Sequence, residues 1–491
     1  MCSEHIAYSY LSNVLSDLDK AQIKAYLPYP LRTFRQRFLF KVKCWLGIGE
    51  SGVYKSFGAK QFIEPRATTS QRRRAKQIFS SIYANVLTRQ DIENIEISGI
   101  RIGDLIYDTY LREYNKPTIE PGCQEFRDCL LGSVELFIFW EDYMVNNKVS
   151  SIIVSHCVYN LAIPLRIGVA QGIKAFQATL ADMYRLSKTE LFASNDFFYF
   201  RDIFSSLSQD QQESGLAEAR DRIKRRFEGE VGVDMPYSTE SAFGEARHNN
   251  LISISPRLKI LVAAHCFYDS PHCYGMNLFS DFVEWLEFLD EISRTTDYDW
   301  YIKMHPEEHD KEIILQFVSK NPRFKLLPSD SSHIQIVDEG IDFALTVYGT
   351  VGFEYAAMGV PVINASQNNP HIAYNFNIHP KSREEYKQVL ESLDSITLSI
   401  NIDEVHEYYF MRNIYSDSNL FLDDYWGVVD STGGYYEQFK EQMYATWLER
   451  LSISRHKLIY SALTKFVLSG DYRLSSKHIY NDRKPSKLLA S

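Results

Sequence analysis

The chain has 491 residues, which is too long for one ordinary hydrophobic core. Its hydrophobic content of 45% is typical of a folded protein. We therefore expect two α/β domains of roughly 200 residues each, plus extensions. The formal net charge of −10 excludes a general nucleic-acid binder, because binding to phosphates requires a basic footprint.

The basic residues are unevenly distributed. From Arg450 to Ser491 there are nine Lys or Arg against two Asp, a local net charge of +7. This tail is a candidate contact with a membrane surface, and a solvated terminal helix with a frayed end is an equal alternative. The shorter basic cluster at 72–76 has the same two interpretations.

The seven cysteines are scattered, with no close pair of the kind that binds zinc, which favours a reduced, cytosolic setting. The first residues show no basic region followed by an apolar core, so no signal peptide is predicted. No apolar run approaches the ~20 residues that span a bilayer. We expect a cytoplasmic protein, with the inner face of a membrane as a further location.

The first hundred residues have the apolar spacing of helices, over Tyr10–Asp19 and over Leu31–Trp45. The alternating stretch Ile95–Tyr107 then predicts a strand or hairpin that leads into a helix. A long helix over Glu125–Asn147 is followed by a strand at Ser151–Ser155.

The same order repeats with a helix over Tyr159–Gln171 and a strand over Gly172–Gln177. Alternating strands and helices predict a parallel sheet covered by helices on both faces. A charged helix over Leu207–Glu230 and a linker over Asp234–Asn250 follow. We place the domain boundary there, so that residues 1–250 form an α/β domain with a helical start.

The second half begins a new α/β pattern. Strands are predicted over Leu258–Ala264, Trp300–Met304, Phe324–Leu327, Phe343–Val347 and Val360–Ala365. Helices are predicted over Asn277–Ser293, Glu308–Lys320, Ile334–Glu339 and from Gly352 to a stop at Gly359. Residues 251–410 should form a second doubly wound domain, and residues 411–491 should be helices that pack back on the first domain.

Polar residues collect where the predicted strands end. His156 follows a strand of the first domain, and in the second domain the strand ends carry His265, Asp269, His272, His305, Tyr348 and Thr350. Ligands of open α/β sheets bind beyond the carboxyl ends of the strands. We therefore predict a site that combines His265, Asp269, His305 and Thr350.

The stretch from Phe343 to Asn364 is a strand, loop, helix and strand. The start of its helix should offer unpaired backbone N–H groups to an anion. Thr350 would add a hydroxyl, and Glu354, one turn into the helix, a carboxylate that could hold a ribose.

Other site classes are excluded or less favoured. His265, Asp269 and His272 have the ligand types of a divalent metal, but the Pro271 turn and the lack of a further acidic cluster disfavour that interpretation. No Gly-x-Ser-x-Gly nucleophile elbow is present. No Gly-x-Gly-x-x-Gly follows the first strand and no P-loop motif occurs, which excludes dinucleotide and P-loop sites.

The motifs carry a family resemblance. His305-Pro306 at a strand end is followed some forty residues later by a hydroxyl-glycine loop that runs into Gly352-Phe-Glu354 and Met358-Gly359-Val-Pro361-Val-Ile. This pattern resembles the donor half of the capsule-polysaccharide-synthesis glycosyltransferases, the GT-B group that includes bacterial Kdo transferases. Polysialyltransferases and glycerol-phosphate polymerases share a looser version of it. The resemblance covers roughly 258–393.

The resemblance implies a metal-independent transferase with two Rossmann-like doubly wound domains that face a central cleft, and with helical N- and C-terminal extensions. Its donor would be a nucleotide-activated sugar, often a CMP-linked 2-keto acid sugar such as Kdo or a sialic-acid-like sugar, and no further cofactor is implied. The acceptor would be a glycan or glycolipid of the bacterial surface.

The resemblance also implies roles for single residues. His305 would contact the donor phosphate, Thr350 and the backbone after it would hold the same phosphate, and Glu354 would bind ribose. The complete implied donor-binding set is Lys303, His305, Pro306, Tyr348, Gly349, Thr350, Val351, Gly352 and Glu354. The implied catalytic set is Asp269, His265 and His272.

The sequence does not decide between a retaining and an inverting mechanism. Retaining Kdo transferases carry an Asp followed closely by Ser on a similar loop, and Asp269-Ser270 stands in that place. Their second Asp and a Gln are absent, and His265-Cys266 stands there instead. Asp269 would attack the anomeric carbon in a retaining reaction, whereas a carboxylate or His would take the acceptor proton in an inverting one.

The resemblance implies that the first domain, residues 1–250, binds the acceptor. Arg166, Tyr159 and His156 are candidates for contacts with it, although ordinary helix-surface roles are favoured for them. Two other functions remain as alternatives: a polyol-phosphate transferase with a CDP-linked donor, and a non-catalytic glycan-binding or scaffold protein of such a pathway.

Overall fold

A computed structural model describes residues 4–234, 241–245, 248–304, 311–415, 420–433 and 442–479. The chain forms two compact units. The first comprises Met1–Thr109, Pro121–Ala193 and Asp417–Ser491, and the second comprises Tyr110–Glu120 and Ser194–Ser416. Residues 194–250, which the sequence pattern assigned to the first domain, thus group with the second unit.

The strands are β1 (Lys24–Tyr26), β2 (Gln61–Ile63), β3 (Glu96–Ile97), β4 (Ile100–Arg101), β5 (Ser151–Val154), β6 (Lys174–Ala178), β7 (Met183–Leu186), β8 (Lys259–Ala263), β9 (Asp299–Lys303), β10 (Phe324–Leu326), β11 (Phe343–Thr346), β12 (Val362–Asn364) and β13 (Asn377–Ile378).

The α-helices are α1 (Glu4–Asp19), α2 (Phe34–Leu46), α3 (Glu50–Ser56), α4 (Thr69–Tyr83), α5 (Arg89–Glu93), α6 (Gly103–Tyr114), α7 (Gln124–Asn147), α8 (Ile163–Ala170), α9 (Phe200–Ser206), α10 (Gln209–Phe227), α11 (Phe282–Thr295), α12 (Lys311–Lys320), α13 (His333–Asp338), α14 (Val351–Ala357), α15 (Arg383–Glu391), α16 (Ile402–Tyr409), α17 (Leu422–Thr432), α18 (Gln442–Arg450), α19 (Ile453–Ser469) and α20 (Ser476–Ile479). Within the described ranges, none of them is long and apolar enough to cross a membrane.

The second unit contains a six-stranded sheet in the order β10-β9-β8-β11-β12-β13, and every neighbouring pair is parallel. Strands β9 and β11 are buried along their whole length, because helices cover both faces of the sheet. The predicted doubly wound α/β arrangement is therefore present in this unit.

Most helices and strands of the second unit begin and end close to the predicted residues. Among the predicted elements the exception is α11, which was predicted from Asn277 and begins at Phe282. Strand β13 and helices α9, α15 and α16 were not predicted. The Asp281 side chain accepts a hydrogen bond from the Glu284 N–H at 2.8 Å and so fixes the first turn. The apolar face of α11, with Trp285 and Leu289, packs on the sheet as its spacing predicts.

The first unit has a smaller sheet than the doubly wound one that was predicted. Its largest sheet in the described residues has three strands, with β5 and β6 parallel and β6 and β7 antiparallel. Strand β7, at Met183–Leu186, was not predicted. A four-residue strand carries too little periodicity to stand out from a loop.

Helices supply most of the remaining core of the first unit. Helix α1 packs against α19, and the cluster around them buries Leu11, Phe176, Trp447 and Phe466. Residues 453–469 therefore belong to the core of this unit through side chains of α19. Burying such aromatic side chains removes a large apolar area from water and stabilises the unit.

Candidate functional site

The strand order places a crevice in the second unit. Strands β8 to β10 follow one another outward in one direction from β8, whereas β11 to β13 follow one another in the other direction. The chain connections therefore diverge between β8 and β11, and parallel sheets bind ligands at such a switch point beyond the carboxyl ends of the strands. The loops that leave β8 and β11, 264–281 and 347–350, border this position.

His265 joins the two loops at the switch point. The backbone N–H of Val347 donates to His265 Nε2 at 3.0 Å, and Thr346 Oγ1 lies 2.9 Å from the same nitrogen. Because Nε2 accepts from a backbone N–H, it carries no proton in this arrangement. The ring also stacks on Phe282, with centroids 4.6 Å apart. His265 thus positions the loops, and its predicted catalytic role would require Nε2 to exchange these partners.

Asp269 is the accessible carboxylate of this region. Its side chain is 60% exposed, and the N–H of Ser270 donates to its Oδ1 at 2.8 Å. Arg112 approaches the same oxygen to 3.7 Å. Tyr348, on the other loop, donates its hydroxyl to the Ser270 carbonyl at 3.1 Å. The arrangement holds a solvated carboxylate near the switch point, as a nucleophile or a base requires.

His272, the third residue of the predicted catalytic set, lies inside the protein. It is 1% exposed, and its backbone carbonyl accepts a hydrogen bond from Gly275 at 3.1 Å. Direct contact of its ring with a substrate would require the loop to move. His272 is therefore buried, whereas Asp269 is exposed to solvent.

The glycine loop after β11 presents the hydroxyl of Thr350. Thr350 is exposed, and its side chain does not cap α14, the helix that begins after it. The N–H groups of Gly352 and Phe353 donate to the carbonyls of Gly349 and Thr350 at 3.0 and 3.1 Å. The sequence pattern expected unpaired N–H groups at this helix start, but these two are used within the turn.

Glu354 lies in the same helix and is buried. Its carboxylate forms a hydrogen-bonded ion pair with Arg226 of α10, whose guanidinium also lies 5.4 Å from the ring centre of Phe243. A ribose at Glu354 would have to share or displace this ion pair. Arg226 was not found by sequence reasoning, because it is 128 residues from Glu354 and belongs to no motif.

Lys303, at the end of β9, is also buried. Its ammonium donates to the Ser329 carbonyl at 2.9 Å, in the loop after β10. Burial lowers the pKa of Lys303 to about 8, although the nearby carboxylates of Asp330 and Glu354 oppose this shift. The lysine therefore remains mostly protonated at physiological pH, and an added phosphate would further favour its charged form.

The lowered pKa of Lys303 predicts a pH-dependent stability. The pKa of Lys303 is lower in the folded protein than the ordinary value of 10.5, so between pH 8 and pH 10.5 the unfolded chain binds more protons than the folded one. The contribution of Lys303 to the free energy of unfolding therefore rises with pH across that window. A Lys303→Met variant lacks this gain. Its stability relative to the wild type should fall by at most about 3 kcal/mol across the window, at about 1.4 kcal/mol per pH unit.

Urea unfolding of both proteins at the two ends of the window measures this difference. Lys325→Met is the matched control, because Lys325 lies on the neighbouring strand β10 and its side chain is exposed to water. A stability difference that is constant with pH for Lys303→Met would contradict the effect of burial.

The region holds a second residue that sequence reasoning missed. His371 lies on the loop after β12, is 1% exposed, and neither ring nitrogen has a hydrogen-bond partner within the described residues. Burial lowers its pKa well below the ordinary value, which keeps the ring neutral. A methyl group at Gly352 would lie 2.3 Å from His371 Cε1. The glycine of the loop is thus needed to seat this ring.

Two residues of the predicted donor-binding set, His305 and Pro306, lie outside the described residues, and their roles stay predictions. Val351 is the first residue of α14, and its predicted contact with the donor also stays a prediction. Within the described part of the chain, no group of three or more His, Cys, Asp or Glu side chains is arranged to hold a metal ion.

The three acceptor candidates of the first unit have different surroundings. Arg166 is 1% exposed and forms a 2.6 Å ion pair with Asp104, and it donates to the Arg101 carbonyl at 3.1 Å. Tyr159 is buried, whereas His156 is exposed with Nδ1 2.8 Å from Ser155 Oγ. Arg166 is therefore part of the interior and not a helix-surface residue.

The first unit contains a cavity of about 780 Å³ that the sequence did not reveal. Its wall comes from α1, α3, α7 and the strands β1 and β5, which are far apart in the chain. The lining combines polar and charged side chains with aromatic rings, which include Tyr8, Phe40, Tyr54, Phe62, Trp140 and Tyr143. Three lining side chains, Glu4, His5 and Asp19, have a buried polar atom without a partner in the described residues, so the cavity combines apolar rings with unused hydrogen-bonding atoms.

No protein-family model and no curated protein matches this sequence. Among solved structures, Thermosulfurimonas dismutans KpsC, a β-Kdo 2,4 transferase, is similar at 9% identity and a TM-score of 0.32, over 53% of this chain and 78% of that chain. Methanocaldococcus jannaschii UDP-GlcNAc 2-epimerase is similar at 12% identity and a TM-score of 0.27, over 56% and 79%.

A Listeria monocytogenes protein described as a UDP-N-acetylglucosamine 2-epimerase is similar at 11% identity and a TM-score of 0.26, over 90% of this chain and 95% of that chain. At these identities and TM-scores the similarities carry no information on substrate or mechanism. The fold class follows from the strand order itself, which is α/β with a parallel sheet.

Proposed function

We propose that this protein is a glycosyltransferase that moves a sugar from a nucleotide-activated donor to a glycan or glycolipid acceptor of the bacterial surface. The observation that carries the proposal is the switch point between β8 and β11, where an exposed carboxylate, Asp269, and an exposed hydroxyl, Thr350, lie on two loops that His265 ties together. Nucleotides of open α/β folds bind at such a position.

In this proposal the donor is a CMP-linked 2-keto acid sugar. Thr350 and the loop that begins at Gly349 contact its phosphate, with His305 as a further phosphate contact. Asp269 acts on the anomeric carbon as nucleophile or on the acceptor hydroxyl as base. The leaving nucleotide departs as a phosphate anion, so hydrogen-bond donors around it stabilise the developing charge.

The aromatic cavity of the first unit is the proposed acceptor site. Its Tyr, Phe and Trp rings offer apolar faces on which sugar rings can stack, and the unused polar atoms of His5 and Asp19 offer hydrogen bonds to sugar hydroxyls. A transferase needs both a donor and an acceptor site, and this proposal assigns them to different sets of residues.

Thermal shifts with CMP, CDP, UDP and GDP test the donor class. A ligand at a hundred times its Kd stabilises the folded state by about 2.7 kcal/mol. The proposal expects CMP to raise the melting temperature more than the other nucleotides do. A shift with CDP alone would favour the polyol-phosphate transferase, and no shift with any of the four would contradict nucleotide binding.

Turnover distinguishes an enzyme from a scaffold. The proposal expects the wild type to transfer or hydrolyse a CMP-sugar and Asp269→Asn to lose this activity with an unchanged melting temperature, because the Asp269 side chain is exposed. Glu287→Gln, an exposed carboxylate of α11 in the same unit, is the matched control. Nucleotide binding without turnover in the wild type would favour the scaffold function.

A further inference from the structure

Helix α2, at Phe34–Leu46, contains no buried residue, although it belongs to a folded unit. Large apolar side chains stand in solvent along it: Phe34 is 76% exposed, Phe38 58%, Trp45 81% and Leu46 53%. Ile48, just after the helix, is 50% exposed. Contiguous exposed apolar surface of this kind marks an interaction site.

The exposed apolar residues share one face of α2. With 3.6 residues per turn, Phe34, Phe38 and Trp45 fall within an arc of about 40°, and Leu46 and Leu39 extend it to about 140°. Arg35 also falls inside this wider arc, so the apolar surface is continuous only around Phe34, Phe38 and Trp45. The opposite face holds the helix on the protein. There, Phe40 packs edge-on against Phe62, with centroids 6.3 Å apart, and lines the aromatic cavity.

The charge of this segment is opposite to that of the chain. Residues 31–49 contain five basic and no acidic side chains, whereas the chain as a whole has a net charge of −10. The basic residues are Arg32, Arg35, Arg37, Lys41 and Lys43. Arg37, Lys41 and Lys43 lie on the flanks of the apolar arc, which is the arrangement of a helix that lies in a membrane interface.

We propose that α2 docks this protein on the surface of a membrane that contains anionic lipids. The aromatic arc would enter the boundary between headgroups and acyl chains, and the basic flanks would contact the lipid phosphates. With 13 residues the helix is too short to span a bilayer, so it lies along the surface. This docking does not depend on which donor the second unit binds.

Charge favours a lipid surface over other occupants of this face. A second copy that packed α2 against α2 would set five cations against five, since symmetric dimers repeat the same patch. The chain's own segment 480–491 carries Arg483, Lys484 and Lys487 against the single acid Asp482, so it too would be repelled. An anionic bilayer satisfies both the basic and the apolar part of the face.

Co-sedimentation of the full-length protein with vesicles tests this proposal. Vesicles of phosphatidylcholine mixed with phosphatidylglycerol should bind the wild type, and vesicles of phosphatidylcholine alone should bind it far more weakly. Trp45→Ser should weaken binding at least about tenfold, since the variant loses the burial of a large apolar side chain. Lys41→Glu and Lys43→Glu should each weaken it at least about fivefold, from about 1 kcal/mol per basic residue.

Leu87→Ser is the matched control, because Leu87 is 80% exposed in the same unit but lies outside α2. It should leave binding unchanged. Trp45→Phe keeps the apolar contact and removes the most exposed of the six tryptophans, all of which are described. It should bind vesicles and lose most of the fluorescence blue shift that the wild type shows on binding.

Several results would overturn the proposal. They are equal binding to neutral and anionic vesicles, unchanged binding of the α2 variants, and loss of self-association in those variants without any vesicle binding. Loss of binding on replacing Arg483, Lys484 and Lys487 by Ser, with the α2 variants unaffected, would move the membrane contact to the C-terminal residues.

Discussion

Gly352→Ala should destabilise the second unit by about 1–3 kcal/mol, the usual cost of forcing an extra group into a packed interior. The added methyl group would lie 2.3 Å from His371 Cε1 and 2.6 Å from Nδ1. The ring cannot move aside easily, because it is buried and packs against Tyr408 and Phe376, with centroids 4.7 and 6.0 Å away. Urea unfolding of the variant measures the loss.

A double-mutant cycle identifies the cause of this loss. His371→Ala removes the ring that the methyl group meets, so the double variant should be more stable than the sum of the two single effects implies. Gly132→Ala is the control: no atom lies within 4 Å of the added group in the middle of α7, and alanine favours a helix by up to about 1 kcal/mol. Additive effects of Gly352→Ala and His371→Ala would show that the two residues do not collide.

Glu354→Ala should lower the stability of the second unit by about 3 kcal/mol, since removing one partner of a buried ion pair leaves the other charge uncompensated. The Glu354 and Arg226 side chains are 4% and 14% exposed, so water can solvate the remaining guanidinium only partly. The motif around Glu354 predicts a ligand-binding carboxylate, and the loss of such a group would affect activity alone. Its ion pair predicts an effect on folding as well.

Chemical unfolding of three variants separates these effects. Arg226→Met combined with Glu354→Leu should recover most of the lost stability, because well-packed apolar side chains often replace a buried ion pair at no cost. Glu230→Ala, which breaks the exposed pair between Arg225 and Glu230 next to Arg226, should have little or no effect. Equal losses in Glu354→Ala and Glu230→Ala would contradict the importance of burial.

Much of the second unit is predictable because its strands are buried on both faces. Apolar runs such as Ile260–Ala264 and Trp300–Ile302 end at the polar residues His265 and Lys303, so strand positions and their parallel alternation with helices follow from the sequence. The strand order is set by packing between distant segments, and only the structure locates the switch point between β8 and β11.

The sequence places the candidate residues on loops after the strands but does not give their contacts. The loops after β8 and β11 follow from the strand ends, and Asp269 and Thr350 are exposed there. The partners of His265, Glu354 and Gly352 do not follow, because each contact joins residues that are far apart in sequence. Arg226 and His371 belong to no motif, so no sequence signal singles them out.

The first unit was less predictable because its core comes from both ends of the described chain. Helices α1 and α19 pack together across more than four hundred residues, and no local pattern encodes such a pairing. The exposed face of α2 could not be predicted from the sequence either. Its apolar residues follow a helical rhythm, and only the structure distinguishes a buried face from an exposed one.

Calorimetric titration of CMP into the wild type and Thr350→Glu tests most directly whether the switch point between β8 and β11 holds a nucleotide. Thr350 is exposed and its side chain does not cap α14, so the added carboxylate should leave the melting temperature unchanged. We expect the wild type and Thr350→Ser to bind CMP, and Thr350→Glu to lose binding because its charge repels the phosphate. Undiminished CMP affinity in Thr350→Glu would contradict this location of the donor site.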